Sequence, residues 1–184
     1  MKTLSSVIVV AAVLLSALPA PAQRQRASPH ETVSAKIDDG NISITYGRPY
    51  SKKPNSNPPV MRTIWGSLVP WGKPWRMGAD EATTIVTDAS LVIGGQTIPA
   101  GTNVLYFVPE ETGPSHLVFS SHINKWGIPV DTSKDIAKVE VKKDTLDTPV
   151  DQFTIAISSN PSGGGTLKWS WEKTQYSVDF KLQK

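Results

Sequence analysis

The chain has 184 residues, with 19 Lys and Arg against 16 Asp and Glu, a formal charge of +3 and no cysteine. Disulfides, thiolate metal sites and a lipid-modified cysteine are therefore excluded. The basic residues are scattered, with no run longer than Lys52-Lys53 or Lys142-Lys143. Such a pattern leaves no electrostatic footprint for nucleic acid or an anionic membrane, and neither partner is expected.

Lys2 precedes an apolar stretch from Leu4 to Leu18, which Pro19 ends before the small residues Ala20 and Ala22. A charged start, an apolar segment of about 15 residues where a membrane span needs roughly 20, and a small-x-small site read as a secretory signal peptide over residues 1–22. Cleavage after Ala22 removes Lys2 and takes the charge from +3 to +2. The expected product is exported, periplasmic or extracellular, with no membrane insertion after cleavage. Residues 23–29 are polar and unpatterned and read as a flexible lead, leaving 30–184 as a single β domain. That length suffices for an ordinary core without disulfides.

Within the domain the apolar period is two. Ile42, Ile44 and Tyr46 alternate with Ser43 and Thr45, as in a strand with one wet face. The alternation recurs at Val139 and Val141, at Phe153, Ile155 and Ile157, at Leu167, Trp169 and Trp171, and from Tyr176 to Leu182. Leu91–Ile93 and Val104–Val108 are apolar on both sides and read as central strands. Gly94-Gly95 fits a two-residue hairpin, Pro99-Ala100-Gly101 the next turn, and Gly113-Pro114 and 160–165 later ones. Short helical turns are expected only near Val60–Ser67 and Ser133–Ala137. The whole reads as an all-β antiparallel sandwich or open barrel.

Between Gly47 and Arg62 lies a Pro/Asn-rich loop of the kind that compact domains keep for function or leave mobile. It leads into Ile64–Thr83, which holds Trp65, Trp71 and Trp75, three of the six tryptophans. Several blocks here go together: Ser28-Pro29-His30-Glu31-Thr32-Val33, Ile44-Thr45-Tyr46-Gly47-Arg48-Pro49, Trp65-Gly66, and Leu68-Val69-Pro70-Trp71-Gly72. They continue as Trp75-Arg76-x-Gly78-Ala79-Asp80-Glu81-Ala82-Thr83, Ile98–Thr102 and Trp126-Gly127. As a set they resemble the exported bacterial family known as domain of unknown function 2911, over nearly all of the chain after the leader. The resemblance brings no activity and no site residues with it. The loop after Arg48 is longer than such relatives are expected to carry, which makes a different ligand conceivable if the loop shapes a site.

The candidate site is the polar and aromatic group Arg48, Trp71, Trp75, Arg76, Asp80 and Glu81. A guanidinium beside two carboxylates can bind a polar ligand or poise an acid; it can equally be a structural ion pair, since Arg76 and Asp80 are one helical turn apart. If Asp80 and Glu81 open a strand, their side chains point to opposite faces and cannot act as a carboxylate pair. The three tryptophans suit a stacking platform for a sugar ring, or a core plug beside Ile64, Leu68 and Val69.

No cofactor is implied. His30, His116 and His122 lack any short two-ligand motif, so no metal site is expected; only one assembled from separated strands would escape such a reading. Ser170-x-x-Lys173 falls on a strand, where residues three apart face opposite sides, and Gly163-Gly164-Gly165 lacks the lysine of a phosphate loop. The leading functional expectation is a non-enzymatic exported domain that binds a small polar or carbohydrate-like ligand or an envelope protein. The alternatives are a hydrolase using Asp80 or Glu81 as general acid or base with an arginine, and a structural envelope domain.

Overall fold

A computed structural model describes residues 26–124 and 126–183; the signal peptide expected over 1–22 lies outside the described residues. The fold is nearly all β. Nine strands form one antiparallel sheet, not closed into a barrel: β1 His30–Ile37, β2 Gly40–Gly47, β3 Thr83–Thr87, β4 Ser90–Ile93, β5 Gln96–Ile98, β6 Gly101–Val108, β7 Ser115–Ser120, β8 Asp135–Ser159 and β9 Gly165–Gln183. Their order across the sheet is β1-β2-β3-β6-β7-β8-β9-β4-β5.

β8 is the hinge of this architecture. Its 25 residues would run roughly 80 Å if straight, about twice the width of a domain this size, so the strand has to bend. It bends where pairing fails. The register with β9 shifts between Thr145 and Val150 and again between Val150 and Thr154, around Pro149, which has no N–H to give the ladder. The N-terminal part of β8 pairs with β7 and the rest with β9, so the sheet folds over itself and both parts share one core. Ile42, Ile44 and Tyr46 of β2 join Phe153 and Ile155 of β8 in that core; Tyr46 meets Phe153 edge-on at 5.7 Å, and the Ile155 N–H donates to the Tyr46 hydroxyl at 2.9 Å.

Alternation predicted the wet-faced strands because each inner residue is buried: Phe153, Leu167, Trp169, Trp171 and Tyr176 are at most 1% exposed. The central position expected for Leu91–Ile93 is not the one found. β4 lies between β9 and the edge strand β5, with Leu91 and Ile93 in the core and Val92 half-buried on the outer side. β6 is central, as its apolar run predicts.

Of the two helical turns, one forms, as a 3-10 turn at Thr132–Lys134. Val60–Ser67 is not helical. Pro58 and Pro59 oppose helical backbone before it, Gly66 takes φ 82°, and the segment makes isolated bridges from Lys52 to Met61 and from Trp65 to Val69.

Candidate functional site

The segment Arg76–Glu81 is a turn clamped to the end of β2. The Ala79 N–H donates to the Gly47 carbonyl at 3.3 Å, and the Thr83 hydroxyl closes the turn on the Met77 carbonyl at 2.8 Å. Met77 and Asp80 both take left-handed backbone, at φ 53° and 63°. A side chain at Gly47 would put its Cβ 2.1 Å from the Ala79 carbonyl oxygen, so glycine there is what lets the turn approach.

That backbone revises the expected placement of the carboxylates. Asp80 and Glu81 do not open a strand, since β3 starts at Thr83. The left-handed residue at Asp80 rotates the chain, and both carboxylates end beside His30 instead of on opposite faces. Glu81 Oε2 is 2.9 Å from His30 Nε2, and Asp80 Oδ2 is 3.9 Å from the same atom. Arg26 grips Glu81 with both terminal nitrogens, Nη2 reaching Oε1 at 2.8 Å. This guanidinium, more than any other group, holds the Glu81 carboxyl down at about 2.

The one-turn spacing of Arg76 and Asp80 does bring them together, though not as an ion pair. Arg76 Nη1 donates to the Asp80 backbone carbonyl and to that of Trp126, the latter at 3.1 Å. No carboxylate pairs with Arg76 among the described residues.

The tryptophans interlock at the same end of the core. Trp75 stacks on Trp171 at 5.8 Å and meets Phe153 edge-on at 4.9 Å, while Trp65 stacks on Trp71 and packs edge-on against Tyr176. Trp65, Trp71 and Trp75 close this end of the core and all remain partly exposed. A cleft of about 330 Å³ opens over it, with Trp75, Trp171, Arg62 and Arg76 among its walls and Gly78 and Ala79 of the clamped turn at one side. Leu68, Ile128 and three prolines make the rest mostly apolar, and among the described residues no Asp or Glu lines it. The Arg62 head sits 5.9 Å from the centre of the Trp171 ring. Arg62 Nε and Trp171 Nε1 are buried donors without a hydrogen-bond partner.

The family model described as "Protein of unknown function (DUF2911)" matches residues 28–180, which span the clamped turn, the tryptophan cluster and every wall of the cleft. The chain belongs to this family. Among curated proteins and solved structures, nothing matches it.

In this DUF2911 member the six residues singled out from sequence fall into three groups. Trp75 and Arg76 line the cleft. Asp80 and Glu81 do not line it and meet His30 instead. Arg48 and Trp71 do neither: Arg48 pairs with Glu31 at 2.6 Å and donates to the Phe153 carbonyl and Thr154 hydroxyl, and Trp71 lies under the Lys143 ammonium at 5.2 Å. Sequence reasoning missed Arg62, Trp171 and Arg26 as members of the site. Arg62 carried a weak signal, a lone guanidinium ending the Pro/Asn loop. Trp171 read only as a core position on an alternating strand.

Proposed function

We propose that this DUF2911 protein is a non-enzymatic, exported binding domain whose cleft takes a small polar, carbohydrate-like ligand bearing a negative charge. The observation that carries this reading is the pairing of two arginines that no carboxylate of the described residues answers, Arg62 and Arg76, with the partly exposed indole of Trp75, for which the buried Trp171 is the floor. A planar guanidinium suits a carboxylate bidentately, and an indole face suits a sugar ring.

Hydrolysis is the weaker reading. A general acid needs a carboxyl group with a raised pKa, and Arg26 moves that of Glu81 the other way, to about 2.

Calorimetric titration with glucuronate and galacturonate, beside glucose and galactose, tests the proposal. The acid sugars are expected to bind and the neutral ones to bind about tenfold more weakly or not at all, one lost charge-assisted bond being worth roughly 1.5–3 kcal/mol. Arg76→Ala is expected to erase the difference. Equal affinity for acid and neutral sugars, or no binding of either, refutes it.

A further inference from the structure

His30 opens β1, while Asp80 and Glu81 end the turn before β3, so side chains from two distant segments converge at one end of the sheet. One ligating atom from each lies within 4.8 Å of the other two. Among the described residues, His30 Nε2 stands between a carboxylate oxygen and a guanidinium nitrogen. The ring nitrogen is 2.9 Å from Glu81 Oε2 and 2.9 Å from Arg26 Nη1. A ring nitrogen either carries a proton or offers a lone pair. Protonated, it suits the carboxylate and opposes the guanidinium; bare, it shares the two N–H groups of Arg26 Nη1 with Glu81 but leaves two acceptors only 2.9 Å apart. A cation placed between the bare nitrogen and the carboxylate oxygens satisfies all of them, and among the described residues the Arg26 head already occupies that role. The Asp80 carboxylate accepts no hydrogen bond from any described residue, which leaves it free to join.

We propose that His30, Asp80 and Glu81 form a binding site for a divalent first-row transition ion, Zn²⁺ foremost, with the Arg26 side chain as a displaceable cationic plug. One imidazole and two carboxylates match the ligand set and charge that Zn²⁺ takes, whereas Ca²⁺ and Mg²⁺ favour oxygen alone. Zinc bonds of about 2.0–2.2 Å place neighbouring ligand atoms about 3.3 Å apart. His30 and Glu81 already lie within that spacing, and Asp80, 3.9 Å from Nε2, closes it with a small side-chain rotation. Arg26 is half exposed and swings into solvent without disturbing the core. Three protein ligands leave one coordination position for water or a ligand group.

Calorimetric titration of the purified protein with Zn²⁺ in a non-chelating buffer, with Co²⁺ absorption as a second readout, tests the site. One ion per chain is expected, with the visible band of four- or five-coordinate Co²⁺. His30→Gln and Asp80→Asn should each weaken binding by about tenfold or more, and Arg26→Ala should tighten it. Asp80→Asn is chosen because Asn accepts left-handed backbone, so the turn survives; if His30→Gln does not fold, Glu81→Gln replaces it. Absence of Zn²⁺ uptake, or uptake that these folded variants leave unchanged, overturns the assignment.

Discussion

Arg48 shows how a residue chosen for its chemistry is spent on the fold. Its side chain is 24% exposed, pairs with Glu31 on β1, donates to the Phe153 carbonyl at 3.2 Å and to the Thr154 hydroxyl at 2.9 Å, and so ties β1 and β2 to the far half of β8. Its own carbonyl accepts from Gln152 Nε2 at 3.1 Å. Arg48→Ala leaves two acceptors and a carboxylate unanswered and should cost about 2 kcal/mol in a urea titration. Cleft affinity should not move, because Arg48 does not line the cleft. Its neighbour Gly47 has the opposite logic, since what matters there is an absent atom. Gly47→Ala forces the new Cβ against the Ala79 carbonyl, backbone against backbone, and should cost about 1–3 kcal/mol while loosening the turn that carries Asp80 and Glu81. Stability falling with no change in Zn²⁺ or sugar binding would break the link between this contact and the site.

At the scale of elements, the β4–β5 hairpin separates two reasons for glycine that sequence merges. Gly94 and Gly95 both take positive φ, 55° and 75°, as a type I′ turn requires. A Cβ on Gly95 meets nothing, whereas one on Gly94 would lie 2.5 Å from Val139 Cγ1. Gly95→Ala should therefore show only the left-handed penalty, about 1–2 kcal/mol, and Gly94→Ala distinctly more. Equal losses in chemical denaturation would mean that β8 yields to the new methyl. The same distinction marks what could be read in advance. β2, both halves of β8 and both halves of β9 announce themselves because one face is wet and the other apolar. β1 does not, because its inner residues beyond Val33 and Ala35 reduce to Ile37 at the turn. β9 reads as two strands because its inward positions switch from odd numbers, up to Trp171, to even ones from Tyr176. Glu172, at φ 51°, is the bulge that shifts the phase. The Trp/Arg block was legible as a place. Its partners were not: Arg62, Trp171 and His30 reach it across the fold, and no local spacing records a tertiary meeting. The spacing of Arg76 and Asp80 was right as proximity and misleading as chemistry, because the contact runs through a carbonyl.

For the whole molecule, the folded-over sheet buries three of its four tyrosines at the junctions between its parts, and this sets its behaviour in alkali. Tyr46 bonds β2 to Ile155 on β8, Tyr106 of β6 donates to Asp135 Oδ2 at the start of β8 at 2.6 Å, and Tyr176 sits on β9; each is at most 3% exposed. Burial raises all three phenols above their ordinary value of about 10, and for Tyr106 the Asp135 carboxylate raises it further. A phenol raised in the folded state favours folding fully below the unfolded value and loses that contribution as pH climbs toward the folded one. Stability should hold through neutral pH and decline above about pH 10, where unfolded chains ionise and folded ones do not. Because the three buried rings belong to strands on both sides of the bend, their share of the tyrosinate absorbance, beyond that of exposed Tyr50, should rise together with loss of the whole sheet. Tyr106→Phe should cost about 1 kcal/mol near neutrality, from the bond to Asp135, and flatten the alkaline decline. Thermal melts stepped through this range measure both. More than the one tyrosinate that exposed Tyr50 can supply appearing before unfolding, or an alkaline slope unchanged in Tyr106→Phe, would show that the junctions open to solvent without the sheet coming apart.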